Sequence, residues 1–210
     1  MRVTAWLASV MLLACAVGMA ATDAAQPMDL LTALDTGQVR AEFRGAGDST
    51  VTGVIERLDS GPTILEIQPG TQFWAQRSGT QGQSTIGSVP VDLNEQRLAY
   101  VSFSTVCTNI GRPAPTPDDV MLPVASPDER MVVLLGLPGI RERPHDAVQA
   151  AAWALASNPR YYEVRTILAT KAGSDVAPTI RGAYAERMIA LAADLVRAAG
   201  LEPTQFRLFR

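Results

Sequence analysis

Arg112-Pro113-Ala114-Pro115-Thr116-Pro117-Asp118-Asp119 is the stretch that divides this chain. Its prolines can neither complete a strand ladder nor continue a helix, so the segment reads as a hinge between two kinds of structure. Ahead of it, from Gln38 to Cys107, polar and apolar residues alternate at period two; behind it, from Ser126 onward, apolar residues recur at helical spacing. The pattern predicts an α+β fold, with a small antiparallel β-sandwich over residues 38–107 and an α-helical half over 126–200 packed against it. Residues 38–111 then form a β domain, 112–125 a proline-rich connector and 126–210 a helical domain.

Working back from the connector, the last strand runs from Arg97 to Cys107, with Ala99, Val101, Phe103 and Cys107 on one face. Earlier strands are signalled by Val39-Arg40-Ala41-Glu42-Phe43-Arg44, by Val51 to Leu58, by Thr63 to Gln68 and by Ser88 to Leu93, where Pro90 argues for an edge position. Between Phe73-Trp74 and Ser84 lies a run rich in Gln, Gly, Ser and Thr that reads as a loop at a sheet end. A short helix from Pro27 to Asp35 precedes the strands, within a lead-in over residues 22–37.

Working forward, Ser126-Pro127-Asp128-Glu129 opens a helix whose apolar run, Met131 to Leu137, asks for burial on most sides. Further helices are expected from Pro144 to Ser157 and from Arg160 to Thr170. The last carries Val176, Ile180, Tyr184, Met188, Leu191, Leu195 and Ala199 as its apolar stripe, with Gly200 as the stop.

The N-terminus has its own logic. Arg2 precedes an apolar run from Val3 to Val17, followed by Gly18-Met19-Ala20, the layout of a cleavable secretory signal over residues 1–21. The expected location is therefore periplasmic or secreted. A competing reading takes Leu12-Leu13-Ala14-Cys15 as a lipoprotein box, which would make Cys15 a lipid anchor at the envelope. Membrane contact is expected only through these two devices.

Composition excludes several classes. The net charge is −3, from 18 Lys+Arg and 21 Asp+Glu, with no basic run of the kind that nucleic acid needs. Lys171 is the only lysine, which reads as a compositional habit favouring arginine. One histidine, His145, precludes a two-histidine zinc site within one chain, and beside Asp146 it reads as a solvated first-turn residue. No Gly-x-Ser-x-Gly turn and no phosphate-cradling loop is present, so neither a metal nor a cofactor is expected. The acidic pairs Asp118-Asp119 and Asp128-Glu129 allow a two-carboxylate hydrolase as a third-ranked reading.

Two cysteines occur, Cys15 within the signal and Cys107 at the end of the last strand, so the mature chain cannot form an internal disulfide. Downstream, Val148-Gln149-Ala150-Ala151-Ala152-Trp153 presents Gln149 and Trp153 one helical turn apart. A strand-borne cysteine followed by Gln-x-Ala-x-Trp resembles the arrangement in thioester-forming domains of bacterial surface adhesins. Val148 stands where that family carries threonine, and Cys107 and Gln149 are closer in sequence than is usual there. The resemblance implies that Cys107 supplies the sulfur and Gln149 the acyl group of an internal thioester that later captures an amine. Such a bond needs shielding from water, for which Phe103 and Trp153 are the candidates. The overall layout is also similar to uncharacterised exported bacterial proteins with a β half and a helical half.

The leading expectation is a non-enzymatic envelope or secreted interaction module. Its contact surface would be the loop carrying Phe73, Trp74, Gln76, Arg77 and Gln81, and its partner an envelope component, a peptide or a polysaccharide. Covalent attachment through Cys107 and Gln149 is the alternative.

Overall fold

A computed structural model describes residues 26–77 and 79–210. The signal segment and Cys15 lie outside the described residues. Among the described residues, no helix is long and apolar enough to cross a membrane.

The β half is a closed barrel, which corrects the expected sandwich. Strands β2 (Val39–Gly45) and β3 (Thr50–Arg57) form a hairpin, and β3 pairs with the long strand β8 (Leu98–Cys107). Around the ring follow β6 (Gln83–Thr85), β5 (Gln72–Ala75) and β9 (Val120–Val124). Closure comes from β9, which pairs antiparallel with β5 on one side and with β2 on the other, through Phe43↔Met121 and Arg44↔Val120. This strand lies inside the stretch expected to be a connector. Its pairing with β2 ends at Met121, two residues before Pro123, so the missing proline N–H breaks no bond on that side.

Alternation explains the interior. Phe43, Val51, Ile55, Phe73, Phe103 and Met121 all turn inward and are buried. The three rings pack edge-on or tilted, with centroids 5.0 Å apart for Phe43–Phe73 and 5.2 Å for Phe73–Phe103. Gly53 makes this possible: a Cβ there would sit 2.4 Å from Cδ1 of Phe43. Each buried ring stabilises the fold by about 2–3 kcal/mol through lost water contact.

A smaller sheet covers the barrel. Its order is β1 (Met28–Asp29), β4 (Ile64–Ile67), β7 (Val89–Asp92), with β1 parallel and β7 antiparallel to β4. Pro90 lies on β7, at the edge of this sheet. Helix α1 (Leu30–Asp35) follows β1 directly, so the helix expected from Pro27 begins at Leu30, capped by the Asp29 carboxylate on the Thr32 N–H. Leu30, Ala33, Leu65, Ile67, Val91 and Leu93 join the barrel interior in one hydrophobic cluster.

The helical half has its own core. Helices α2 (Glu129–Leu135), α3 (His145–Ala156), α4 (Tyr161–Lys171) and α5 (Pro178–Ala198) surround a cluster that also takes in Ile86 and Val106 from the barrel. Helix α3 is central, with every residue from Ala147 to Leu155 buried. Its alanines let α5 approach closely, and a helix buried on all sides needs no polar face. Two expectations shift here. Val132 and Val133 of α2 are exposed, and the buried face of α5 runs through Gly182, Ala185, Met188, Ile189, Ala192, Leu195 and Val196, leaving Ile180 61% exposed.

Candidate functional site

The seam between barrel and helices holds the chemistry. Strand β3 starts at Thr50, pairing there with Ser104, and the preceding Ser49 carbonyl still accepts the Thr105 N–H of β8. Beyond that point the β3 side of β8 has no strand, and the N–H and C=O of Cys107 face the gap. The side chain of Gln149, from the central helix α3, fills it. Its Oε1 accepts the Cys107 N–H at 2.8 Å, and its Nε2 donates to the Cys107 carbonyl at 2.7 Å. One carboxamide thus reproduces the paired donor and acceptor that a neighbouring strand residue would offer. Both residues are 1% exposed.

The Cys107 sulfur is held separately. It lies 3.2 Å from the Asp48 carbonyl oxygen, to which the thiol donates. Asp48 sits in the turn between β2 and β3, next to Gly47, whose φ of +93° is the left-handed conformation glycine adopts freely. Burial pushes the Cys107 thiol up to about 12, and the Asp48 charge adds to the effect. Gln83, the cross-strand partner of Cys107 on β6, is fully buried and donates its Nε2 to the Gly47 carbonyl at 2.8 Å.

Around this pair stands a charged network. Lys171, the last residue of α4, places Nζ 2.6 Å from Asp48 Oδ2 and 3.4 Å from Asp146 Oδ1. Tyr184 on α5 donates its hydroxyl to Asp146 Oδ2 at 2.7 Å. His145 lies beside Asp146 with Nδ1 to Oδ1 at 4.0 Å, a charge-pair separation, and its Nε2 is 2.8 Å from the Thr105 carbonyl. His145, then Tyr184 and Lys171, hold the Asp146 carboxyl down to about 2 against its partial burial. Burial works to lower the Lys171 ammonium, and the Asp48 and Asp146 carboxylates outweigh it, so its pKa is raised. Asp146 raises His145 above its ordinary value, so this residue is a partly buried member of the seam and not the solvated first-turn group its sequence position suggests.

A cavity of about 360 Å³ opens beside these groups. Its walls include Asp48, Gln81, Cys107, Gln149, Trp153 and Lys171. Two buried polar atoms of its lining residues, Gln81 Oε1 and Trp153 Nε1, have no hydrogen-bond partner among the described residues. A larger concavity of about 750 Å³ lies on the outer face of β2, β3 and β8 near Tyr100. The smaller cavity is the better site, because there a thiol, a carboxamide, an ammonium and the Asp48 carboxylate converge in partial burial, with Asp146 behind the ammonium.

The other sequence-derived candidates fall elsewhere. Trp153 lines the cavity, whereas Phe103 packs in the barrel interior against Phe73 and does not shield Cys107. Phe73 is likewise interior, while its neighbour Trp74 is 37% exposed and donates Nε1 to Gln72. Gln76 is exposed, and its backbone N–H bonds the Val120 carbonyl. Arg77 pairs with Asp119 at 3.0 Å, and Gln81 is buried with its Nε2 on the Arg112 carbonyl. Residues 76–77 and 79–82 therefore belong to the connection between β5 and β6 and are tied to the proline-rich segment, with Gln81 facing the cavity.

One carboxylate of each acidic pair has structural work. Asp119 also accepts from the N–H and hydroxyl of Thr116, and Asp128 caps α2 through the Arg130 N–H. Among the described residues no cluster of His, Cys, Asp and Glu could hold a metal ion. Asp48, Asp146, Lys171, Tyr184 and Gln83 are site residues that sequence reasoning missed. Only Lys171 carried a signal, as the single lysine of the chain.

Comparison with known protein families, with curated proteins and with solved structures finds no match.

Proposed function

We propose that this protein is an exported interaction module that attaches covalently to its partner, through an internal thioester between Cys107 and Gln149. The observation that carries the reading is the paired hydrogen bond that brings the Gln149 carboxamide onto the backbone of Cys107, in a buried site. Acyl-transfer sites often use the nucleophile's own backbone N–H to hold the oxygen on which charge develops. Here the Cys107 N–H stands at that position relative to Gln149 Oε1.

In the proposed step, Cys107 Sγ attacks Cδ of Gln149. The C–S bond forms, the C–N bond breaks, and the thiol proton leaves with the nitrogen as ammonia. No oxidant or reductant enters. An amine on the partner then attacks the thioester carbon, forming a new C–N bond and returning the thiol to Cys107. Burial of both groups supports the reading, because water would otherwise consume the thioester. The cavity bounded by Trp153 and Gln81 gives an amine a way in, and the unpartnered polar atoms around it suit a polar acceptor.

The secretory signal expected over residues 1–21 supports a location outside the cytoplasm, where an exposed amine on another molecule is the available target. Fractionation of cells, with N-terminal sequencing of the mature chain, tests that part.

Intact-mass measurement tests the chemistry. The mature protein should weigh one ammonia less than its sequence and show no titratable thiol. Exposure to methylamine should add one methylamine and release the thiol, and Cys107→Ala should show no ammonia loss. An unmodified mass with a titratable thiol would end the proposal.

A further inference from the structure

We infer that Asp48 and Asp146 clamp Lys171 as an ammonium so that the chain's own amine does not consume the acyl group at Gln149. The inference rests on the thioester reading and concerns what protects it.

The problem is set by proximity. Lys171 lines the same cavity as Cys107 and Gln149, and its flexible side chain places a primary amine within one small chamber of the acyl carbon. An intramolecular amine competes at an effective concentration no partner in solution can match. Unrestrained, Lys171 would attack: the Nζ lone pair would form a C–N bond to Cδ of Gln149, the C–S bond would break, and the sulfur would take a proton from nitrogen. The product would be an internal isopeptide with a free thiol, unable to capture anything.

The geometry removes the lone pair. Nζ meets Asp48 Oδ2 at 2.6 Å and Asp146 Oδ1 at 3.4 Å, one carboxylate from the barrel and one from the helical half. An ammonium has three donors and no acceptor, hence no nucleophilic electron pair. Asp146 is itself fixed by the Tyr184 hydroxyl at 2.7 Å, and before the thioester forms the Asp48 carbonyl accepts the Cys107 thiol at 3.2 Å. The same turn residue therefore places its carbonyl beside the sulfur and its carboxylate on the competing amine. Half-burial lowers a lysine's pKa, and the two carboxylates more than offset it and hold the proton on Nζ. Lys171 is also the only lysine in the sequence, so no other side-chain amine of this chain needs such restraint.

The test compares the wild type with the Asp48→Asn/Asp146→Asn protein, each read by intact mass, thiol titration and peptide mapping. The wild type should lack one ammonia, show no thiol and react with methylamine. The double variant should also lack one ammonia, but show a full equivalent of thiol, resist methylamine and yield a Gln149–Lys171 cross-linked peptide. Adding Lys171→Arg to the double variant should remove that cross-link. A double variant that keeps a methylamine-reactive thioester with no cross-link overturns the clamp while leaving the thioester intact. A wild type of unmodified mass overturns both. If the double variant is insoluble, Asp146→Asn alone, which keeps the Asp48 contact, should give a partial cross-link growing over days; its complete absence counts equally against the clamp.

Discussion

Lys171 Nζ and Asp48 Oδ2 meet at 2.6 Å although 123 residues of chain separate them. The contact joins the end of α4 to the first turn of the barrel, and it is one of several side-chain bonds that tie the two halves together at the Cys107 seam.

The central bond of that seam is the Gln149 carboxamide. Gln149→Ala would leave the buried N–H and carbonyl of Cys107 without partners, at a cost of about 2–4 kcal/mol. Gln149→Glu should cost more, because a carboxylate cannot donate to the Cys107 carbonyl and would bring charge into a site 1% exposed. Urea unfolding in a Cys107→Ala background, where no thioester forms and the backbone groups of residue 107 remain, ranks the three proteins, and a midpoint unchanged by Gln149→Ala would contradict the bonding.

Any fraction of the chain that carries a free Cys107 should be slow to alkylate while folded. With the thiol pushed up to about 12 and buried, its thiolate population at neutral pH falls roughly a thousandfold below that of an ordinary cysteine. Iodoacetamide should modify it at a normal rate only after unfolding. Equal rates in native and denatured protein would refute the burial.

The seam should also set the response to pH. Asp146 is lowered from 3.8 to about 2 in the folded chain, so its contribution is complete above pH 3.8 and is lost as the pH falls toward 2. For a part-buried group screened by solvent this is on the order of 1–2 kcal/mol. His145 is raised, so its contribution is complete below its ordinary value of 6.5 and is lost as the pH rises through the folded value. Stability should peak between these limits. Urea midpoints at pH 3, 5 and 8 measure it, and Asp146→Asn should flatten the acid side.

In the barrel, Phe73→Ala should destabilise by about 3–5 kcal/mol, since it empties the centre of three packed rings. Trp74→Ala, on the outer side of the same strand, should cost under about 1 kcal/mol. Thermal unfolding of the two variants distinguishes inside from outside directly.

The division into a β half and a helical half was legible because alternation and helical spacing are local. Val39 to Arg44 and Ala147 to Leu155 announce themselves within a few residues. Closure was not legible. Val120-Met121-Leu122 is too short to show a period, Pro123 reads as a breaker, and the pairing of Met121 with Phe43 depends on residues far apart in sequence. The candidate site was legible as the pair Cys107 and Gln149, with Trp153 beside them and Gln81 named for another role. The resemblance supplied that pair, while Asp48, Asp146 and Tyr184 belong to segments with no motif, and folding alone gathers them. Phe103 shows the opposite error: it shares parity with Cys107, but four residues along β8 lead from the seam into the barrel interior.

The ring of strands has a further effect on how copies of this protein behave when crowded. Because β9 is hydrogen-bonded to β2 on one flank and β5 on the other, every strand of the six-stranded ring has a neighbour on both sides along part of its length. Among the described residues, the three-stranded sheet ends in two borders, one formed by the two residues of β1 and the other by β7, where Pro90 lacks the donor a stacking neighbour would need. A second copy that tried to extend this small sheet would meet a two-residue strand on one border and a proline on the other.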